Sequence, residues 1–264
     1  MGDWQGRRVL ITGGSSGIGA ALAERFAAEG ATVGICARRA DRLHAVLERC
    51  QTHSPGSRAW VADLADPLEV DRVAEAAVAE LGGVDVLVNN AGIPRRRHVT
   101  RLDPDAVEEV MRINFFAPVR LTLALLPQLI EHGDGRIVNV SSVAASLSSP
   151  GESAYDASKA ALSVFSEAMA IDLWDAGVKI LVVYPAVVDT ELFDIPGNDP
   201  LPPGLDPIPV GEVVDAVLSG LAAGSLEVYV PPFFKDIATG KVGNIDGYVA
   251  GAAQYMRDQK VPDL

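Results

Sequence analysis

Short apolar runs recur along the chain, and between them lie segments whose apolar positions repeat every three or four residues. The runs RVLIT (8–12), TVGIC (32–36), RAWVA (58–62), DVLV (85–88), RIVNVS (136–141), VKILVVY (178–184) and LEVYV (226–230) read as strands. Helices are expected between them at about 17–29, 40–50, 67–81, 104–131, 154–176 and 210–223. Strands with no polar face suit a parallel sheet covered on both sides. Strict alternation with right-handed crossovers then gives an α/β fold, one doubly wound parallel sheet of about seven strands. No internal repeat or linker divides residues 1–264, so a single domain is expected.

One stretch breaks the rhythm. Residues 190–209 are dense in Pro, Gly and Asp and cannot form a regular helix or strand. A loop of about twenty residues after the sixth strand lies at the carboxyl edge, where open α/β sheets bind ligands. It reads as a substrate lid.

Composition narrows the class. A net charge of −13 argues against nucleic acid or an anionic membrane surface as partner. Two cysteines, no CxxC and no HExxH suggest a reducing, cytoplasmic setting without a metal site. The first apolar run already belongs to the first strand, and the run 121–130 carries Pro127 and is short for a bilayer.

The chemistry sits at strand ends. After the first strand comes Thr12-Gly-Gly-Ser-Ser-Gly-Ile-Gly19. There Gly13, Gly17 and Gly19, with Ser15, Ser16 and Ile18, would let backbone N–H groups and a helix N-terminus receive a pyrophosphate. The second strand ends in Cys36-Ala-Arg-Arg39 with no carboxylate for a ribose diol, so NADP(H) is expected over NAD(H), with Arg38 as the main contact and Arg39 beside it. Asp63 and Leu64 follow the third strand, Asn90, Ala91 and Gly92 the fourth, and Ser142 the fifth. Tyr155 and Lys159 stand one helical turn apart on one face. An ammonium beside a phenol favours the phenolate, so the phenol could exchange a proton near neutral pH.

TGxxxGxG, NNAG, Asn114 in MRIN, Ser142 and Tyr155-x-x-x-Lys159, in this order over about 7–191, together resemble the short-chain dehydrogenase/reductase family. The resemblance implies Tyr155 as general acid/base, Lys159 lowering its pKa and holding the nicotinamide ribose, Ser142 steadying the substrate oxygen, and Asn114 supporting a proton relay. It also implies cofactor contacts from Pro185, Val188 and Thr190, and a homodimer or homotetramer joined through the helices at 104–131 and 154–176. One departure is Tyr184-Pro-Ala186, where the family often has Pro-Gly. The function expected is an NADP(H)-dependent ketone or aldehyde reductase. The alternatives are an NAD-dependent alcohol dehydrogenase and a non-catalytic nucleotide-binding regulator. Ile93, Leu147, Leu192 and Phe193 are expected to line a pocket for a hydrophobic carbonyl or alcohol. Arg95-Arg-Arg97 reads as a solvated face rather than an anion-recruiting patch.

Overall fold

The computed structural model describes residues 4–201 and 206–258, without the side chains of Phe193 and Asp194. Seven strands, β1 (Arg8–Thr12), β2 (Thr32–Ala37), β3 (Arg58–Val61), β4 (Val86–Asn89), β5 (Gly135–Val140), β6 (Val178–Pro185) and β7 (Glu227–Val230), form one parallel sheet in the order β3-β2-β1-β4-β5-β6-β7. Helices α1 (Gly17–Ala28), α2 (Ala40–Gln51), α3 (Pro67–Leu81), α4 (Pro104–Met111), α5 (Ala117–His132), α6 (Ser153–Asp172) and α7 (Val210–Ala223) cover its faces. The order reverses between β1 and β4, which opens a crevice at their carboxyl ends.

The apolar strands are buried on both sides. One core gathers Val9, Ile11, Phe26, Val88, Val138 and Val183; the other gathers Leu10, Leu87, Leu121, Leu125, Leu129 and Ile137. Alternate residues of β1 thus enter opposite cores, as the two-residue strand period requires. Cys36 and Cys50 are free thiols, buried in different cores.

Local signals set the helix ends. Asp66 caps α3 by accepting from Leu68 N at 2.9 Å with Pro67 at the first helical position, and Gly82 ends the helix at φ +75°. The helix expected at 104–131 is interrupted by a π turn, Arg112–Phe116, between α4 and α5. The stretch Pro104–His132 is long and apolar enough to cross a membrane, yet Leu121, Leu125 and Leu129 pack it onto the sheet.

Two further helices, α8 (Phe234–Gly243) and α9 (Ile245–Asp258), follow β7 and were not expected. They fold back over the carboxyl edge. Lys241 Nζ donates to Ser146 O (2.8 Å) and Ser148 Oγ (3.0 Å), and Tyr248 Oη donates to Ser148 O (3.2 Å).

Candidate active site

A cavity of 880 Å³ fills the crevice and runs from the glycine turn to α9. At its nucleotide end lie Gly13, Ser15, Ser16, Gly17 and Ile18. Gly13 has φ +69°, and a Cβ there would stand 2.8 Å from Asn90 Nδ2 and 2.9 Å from Ala91 Cα. Only glycine fits both the dihedral and the space. Asn90 holds the turn from behind, its Nδ2 donating to Thr12 O at 2.9 Å, while Thr12 Oγ1 accepts from Asn90 N and Ala91 N. Gly19 does not line the cavity; it is buried against the Gly13 carbonyl, where a side chain would collide. The missing side chain lets α1 pack closely against the turn.

The start of α1 fits a phosphate. Ser16 occupies the N-cap position but makes no side-chain bond to the helix, and the first turn holds no acidic residue. Among the described residues no side chain caps its first N–H groups, which suits an anionic ligand. The Ser16 hydroxyl instead accepts from Arg39 Nη2 at 2.6 Å, with Ser15 Oγ 3.4 Å from the same nitrogen. Arg39 Nη1 also bonds Glu191 at 2.9 Å, and Arg42 pairs with the same carboxylate. Arg38 lines the cavity as well. Asp63, whose Oδ1 accepts from Ala65 N at 3.0 Å, and Leu64 complete this end. Asn90, Ala91, Gly92, Pro185, Ala186, Val188 and Thr190 also line the cavity.

The catalytic candidates converge in the middle. Ser142, Tyr155 and Lys159 line the cavity together. Lys159 is buried, its Nζ donating to Val140 O at 2.8 Å and lying 5.7 Å from the centre of the Tyr155 ring. Burial lowers this lysine to about 8. Tyr155 departs from expectation: the protein's own groups raise its phenol. Desolvation acts first, then Glu152, while a hydrogen bond with Ser142 works in the lowering direction. Lys159 does not offset the burial. Asn114 lies in the π turn just behind the cavity, buried, with Nδ2 donating to Ile93 O and Ser158 Oγ (3.0 Å each) and Oδ1 accepting from Ile93 N at 2.9 Å. A π turn rotates one residue out of helical register, a recurrent device at functional sites.

The far end is a largely apolar chamber. Ile93, Leu192, Ile195, Leu201 and Met256 contribute to it, together with Tyr248 and Tyr255 of α9. Leu147, expected here, is buried outside the cavity; its N–H donates to Val143 O, so the short turn after Ser142 carries it inward and presents Ser148, Ser149 and Pro150 instead. The Phe193 side chain lies outside the described residues. The 190–209 segment opens with a one-turn helix, Glu191–Asp194, and near its other end Ile208 forms a parallel bridge with Val188.

Arg95-Arg-Arg97 is not a solvated face. Arg96 is only 2% exposed. Its Nε donates to Glu152 Oε1 and its Nη1 to Asp199 O, at 2.8 and 2.7 Å. Arg95 pairs with Glu109, and Arg97 Nε donates to Gly197 O at 2.8 Å. Sequence reasoning missed Arg96 because three adjacent arginines look alike until the fold buries one of them. The α9 contribution was legible in principle, since Ile245, Tyr248, Ala252 and Tyr255 repeat at helical spacing.

Comparison with known proteins agrees with this geometry. The family described as short chain dehydrogenase matches residues 7–197. A fatty acyl-CoA reductase of Mycobacterium tuberculosis is 39% identical over 194 residues, covering 72% of this chain and 66% of that one. Mouse dehydrogenase/reductase SDR family member 7B is 37% identical over 70% of this chain, and the match spans 58% of its own length. The chain thus corresponds to less than two thirds of these relatives. The 3-oxoacyl-[acyl-carrier-protein] reductase of Escherichia coli is 30% identical over 80% of this chain and 85% of its own. A short-chain dehydrogenase of Sphingobium yanoikuyae, solved with NADPH, superposes with a TM-score of 0.80 at 32% identity, covering 92% of this chain and 95% of that one. One of Burkholderia phymatum, solved with NAD, reaches 0.84 at 22% identity, over 93% and 96% respectively. Ordered motifs, sheet topology and a match over most of its length agree, and the chain belongs to the short-chain dehydrogenase/reductase family.

Proposed function

We propose that the protein is an NADP(H)-dependent reductase of hydrophobic ketones or aldehydes, reversible in principle. The observation that carries this reading is the convergence of Ser142, Tyr155 and Lys159 on one cavity between a phosphate-suited helix end and an apolar chamber. The bound nicotinamide would supply the hydride. Tyr155 would give its hydroxyl proton to the substrate carbonyl oxygen as negative charge develops there. Ser142 would donate a second hydrogen bond to the same oxygen, an oxyanion-type contribution. Lys159 would hold the cofactor's ribose.

NADP(H) is favoured over NAD(H) by the two guanidinium groups at the end of β2 and by the lack of a carboxylate there. The NADPH-bound Sphingobium relative supports the same choice. An acyl or lipid-like carbonyl is favoured by the apolar chamber and by the names of the two acyl-reducing relatives. Pairing of subunits would use α5 and α6, whose outer faces expose Leu123, Val164 and Ile171, with Trp174 exposed just beyond the end of α6.

The test is NADPH oxidation across steroids, fatty aldehydes, quinones and 3-oxoacyl thioesters, with Tyr155→Phe as control. The variant should lose roughly 10²–10⁴-fold in turnover while still binding NADPH. Silence of a folded, NADPH-bound wild type on every substrate would instead support a non-catalytic regulator.

A further inference from the structure

We infer that the buried Arg96–Glu152 ion pair is a positioning element of the active site, pinning the lid segment to the start of α6 and setting two opposed charges beside Tyr155. This rests on Tyr155 being the acid/base of the proposed reaction.

The geometry is specific. Arg96 reaches two elements at once, Glu152 at 2.8 Å and the Asp199 carbonyl at 2.7 Å. Its backbone closes the same junction: Arg96 N donates to Asn198 Oδ1 and Asp199 N to Arg96 O, both at 2.7 Å. The next residue ties the other side, Arg97 N donating to Gly151 O at 2.7 Å. The side chains of both partners are nearly enclosed, at 3% and 14% exposure, and both residues line the cavity. An ion pair buried at a site's floor is costly to maintain, so its presence there calls for a role beyond stability.

Glu152 is the N-cap of α6, three residues before Tyr155, and both line the cavity. The charges acting on the Tyr155 hydroxyl come from several elements. Glu152 at the N-cap of α6 and Asp156 within it raise it, and Arg96 from the loop after β4 lowers it. Lys159 stands below the ring, and α9 brings Tyr248 and Tyr255 to the same chamber. Arg96 and Glu152 therefore act on one proton in opposite senses. A lysine in place of Arg96 would restore the charge but not the planar fork.

The test titrates Tyr155 directly, with the protein saturated with NADP+. Tyrosinate ultraviolet absorbance is followed against pH, and the Tyr155→Phe protein serves as the blank for the other tyrosines. Glu152→Gln should move the Tyr155 midpoint down by about one pH unit, and Arg96→Met should move it up by about as much. Arg96→Lys should return close to wild type. Unchanged midpoints in both variants, or shifts of the same sign, overturn the inference. Glu152→Gln is nearly isosteric and keeps an acceptor for Arg96, so it decides the matter alone should Arg96→Met fail to fold. If Tyr155→Phe leaves turnover intact, the proposed reaction fails instead.

Discussion

Lys159 stands 5.7 Å from the centre of the Tyr155 ring and directs its ammonium to the Val140 carbonyl, not to the phenol. The two residues share a helix face, as their spacing requires, but the polypeptide alone does not make the phenol acidic. The amine bears the cost of the arrangement. Its value falls from 10.5 to about 8 through burial.

That cost is measurable as stability. In the unfolded chain the lysine binds its proton up to about 10.5, while in the folded chain it releases it near 8. The unfolded state thus holds more protons between these values, and wild-type stability rises with pH across that window. Lys159→Met removes the dependence. The variant should be more stable at pH 7, by about 3 kcal/mol at most, with the gap closing toward pH 11. Chemical denaturation of both proteins across pH checks this.

Asp156 gives the opposite dependence. Its Oδ2 accepts from Ser149 N at 2.7 Å, its Oδ1 is buried and accepts no hydrogen bond among the described residues, and burial raises the carboxyl to about 7. The folded state holds the extra proton between about 4 and 7, so this contribution is full at low pH and lost as pH rises through 7. Relative to Asp156→Asn, wild type should lose stability over that window. A gap that stays constant with pH would refute it.

At the nucleotide end, Arg39 rather than Arg38 is fixed by hydrogen bonds, to Ser16 and Glu191. A charge-assisted hydrogen bond is worth about 1.5–3 kcal/mol. Arg39→Ala should therefore weaken NADPH binding by about 10- to 100-fold and NADH binding far less. Arg38→Ala should have the smaller effect. Fluorescence titration with both dinucleotides separates the two.

Gly13→Ala should damage the same end by another route. The new methyl would press on Asn90 Nδ2 and Ala91 Cα in a backbone conformation that L residues avoid. A loss of about 1–3 kcal/mol in stability is expected, together with loss of dinucleotide affinity. Thermal unfolding and the same titration report both.

Much of this was legible in the sequence, for reasons that differ by element. The strands declare themselves because residues such as Val9, Leu10 and Ile11 have no polar neighbour to face water. Gly13, Tyr155 and Lys159 are recognisable because their chemistry depends on local spacing. Asn114 was identifiable, but its π turn was not, because the extra residue in the turn answers to contacts with Ile93 and Ser158 far along the chain. Arg96 was hidden for a similar reason: its burial depends on where Glu152 and Asp199 arrive. Leu147 was misplaced because a three-residue helical turn, Val143–Ala145, changes which side chains face the cavity. The α8–α9 hairpin went unread because its glycines, 240, 243, 247 and 251, mimic a loop.

That hairpin docks with Lys241 and Tyr248 reaching the Ser146–Ser148 turn and with Ala238 and Met256 buried. Ser142, Tyr155 and Lys159, to which the proposed reaction assigns the proton, and the α9 part of the cavity wall thus belong to separate stretches of chain. On the proposed reading, evolution or a designer would rewrite what the cavity accepts by grafting a different tail, and leave the chemistry untouched.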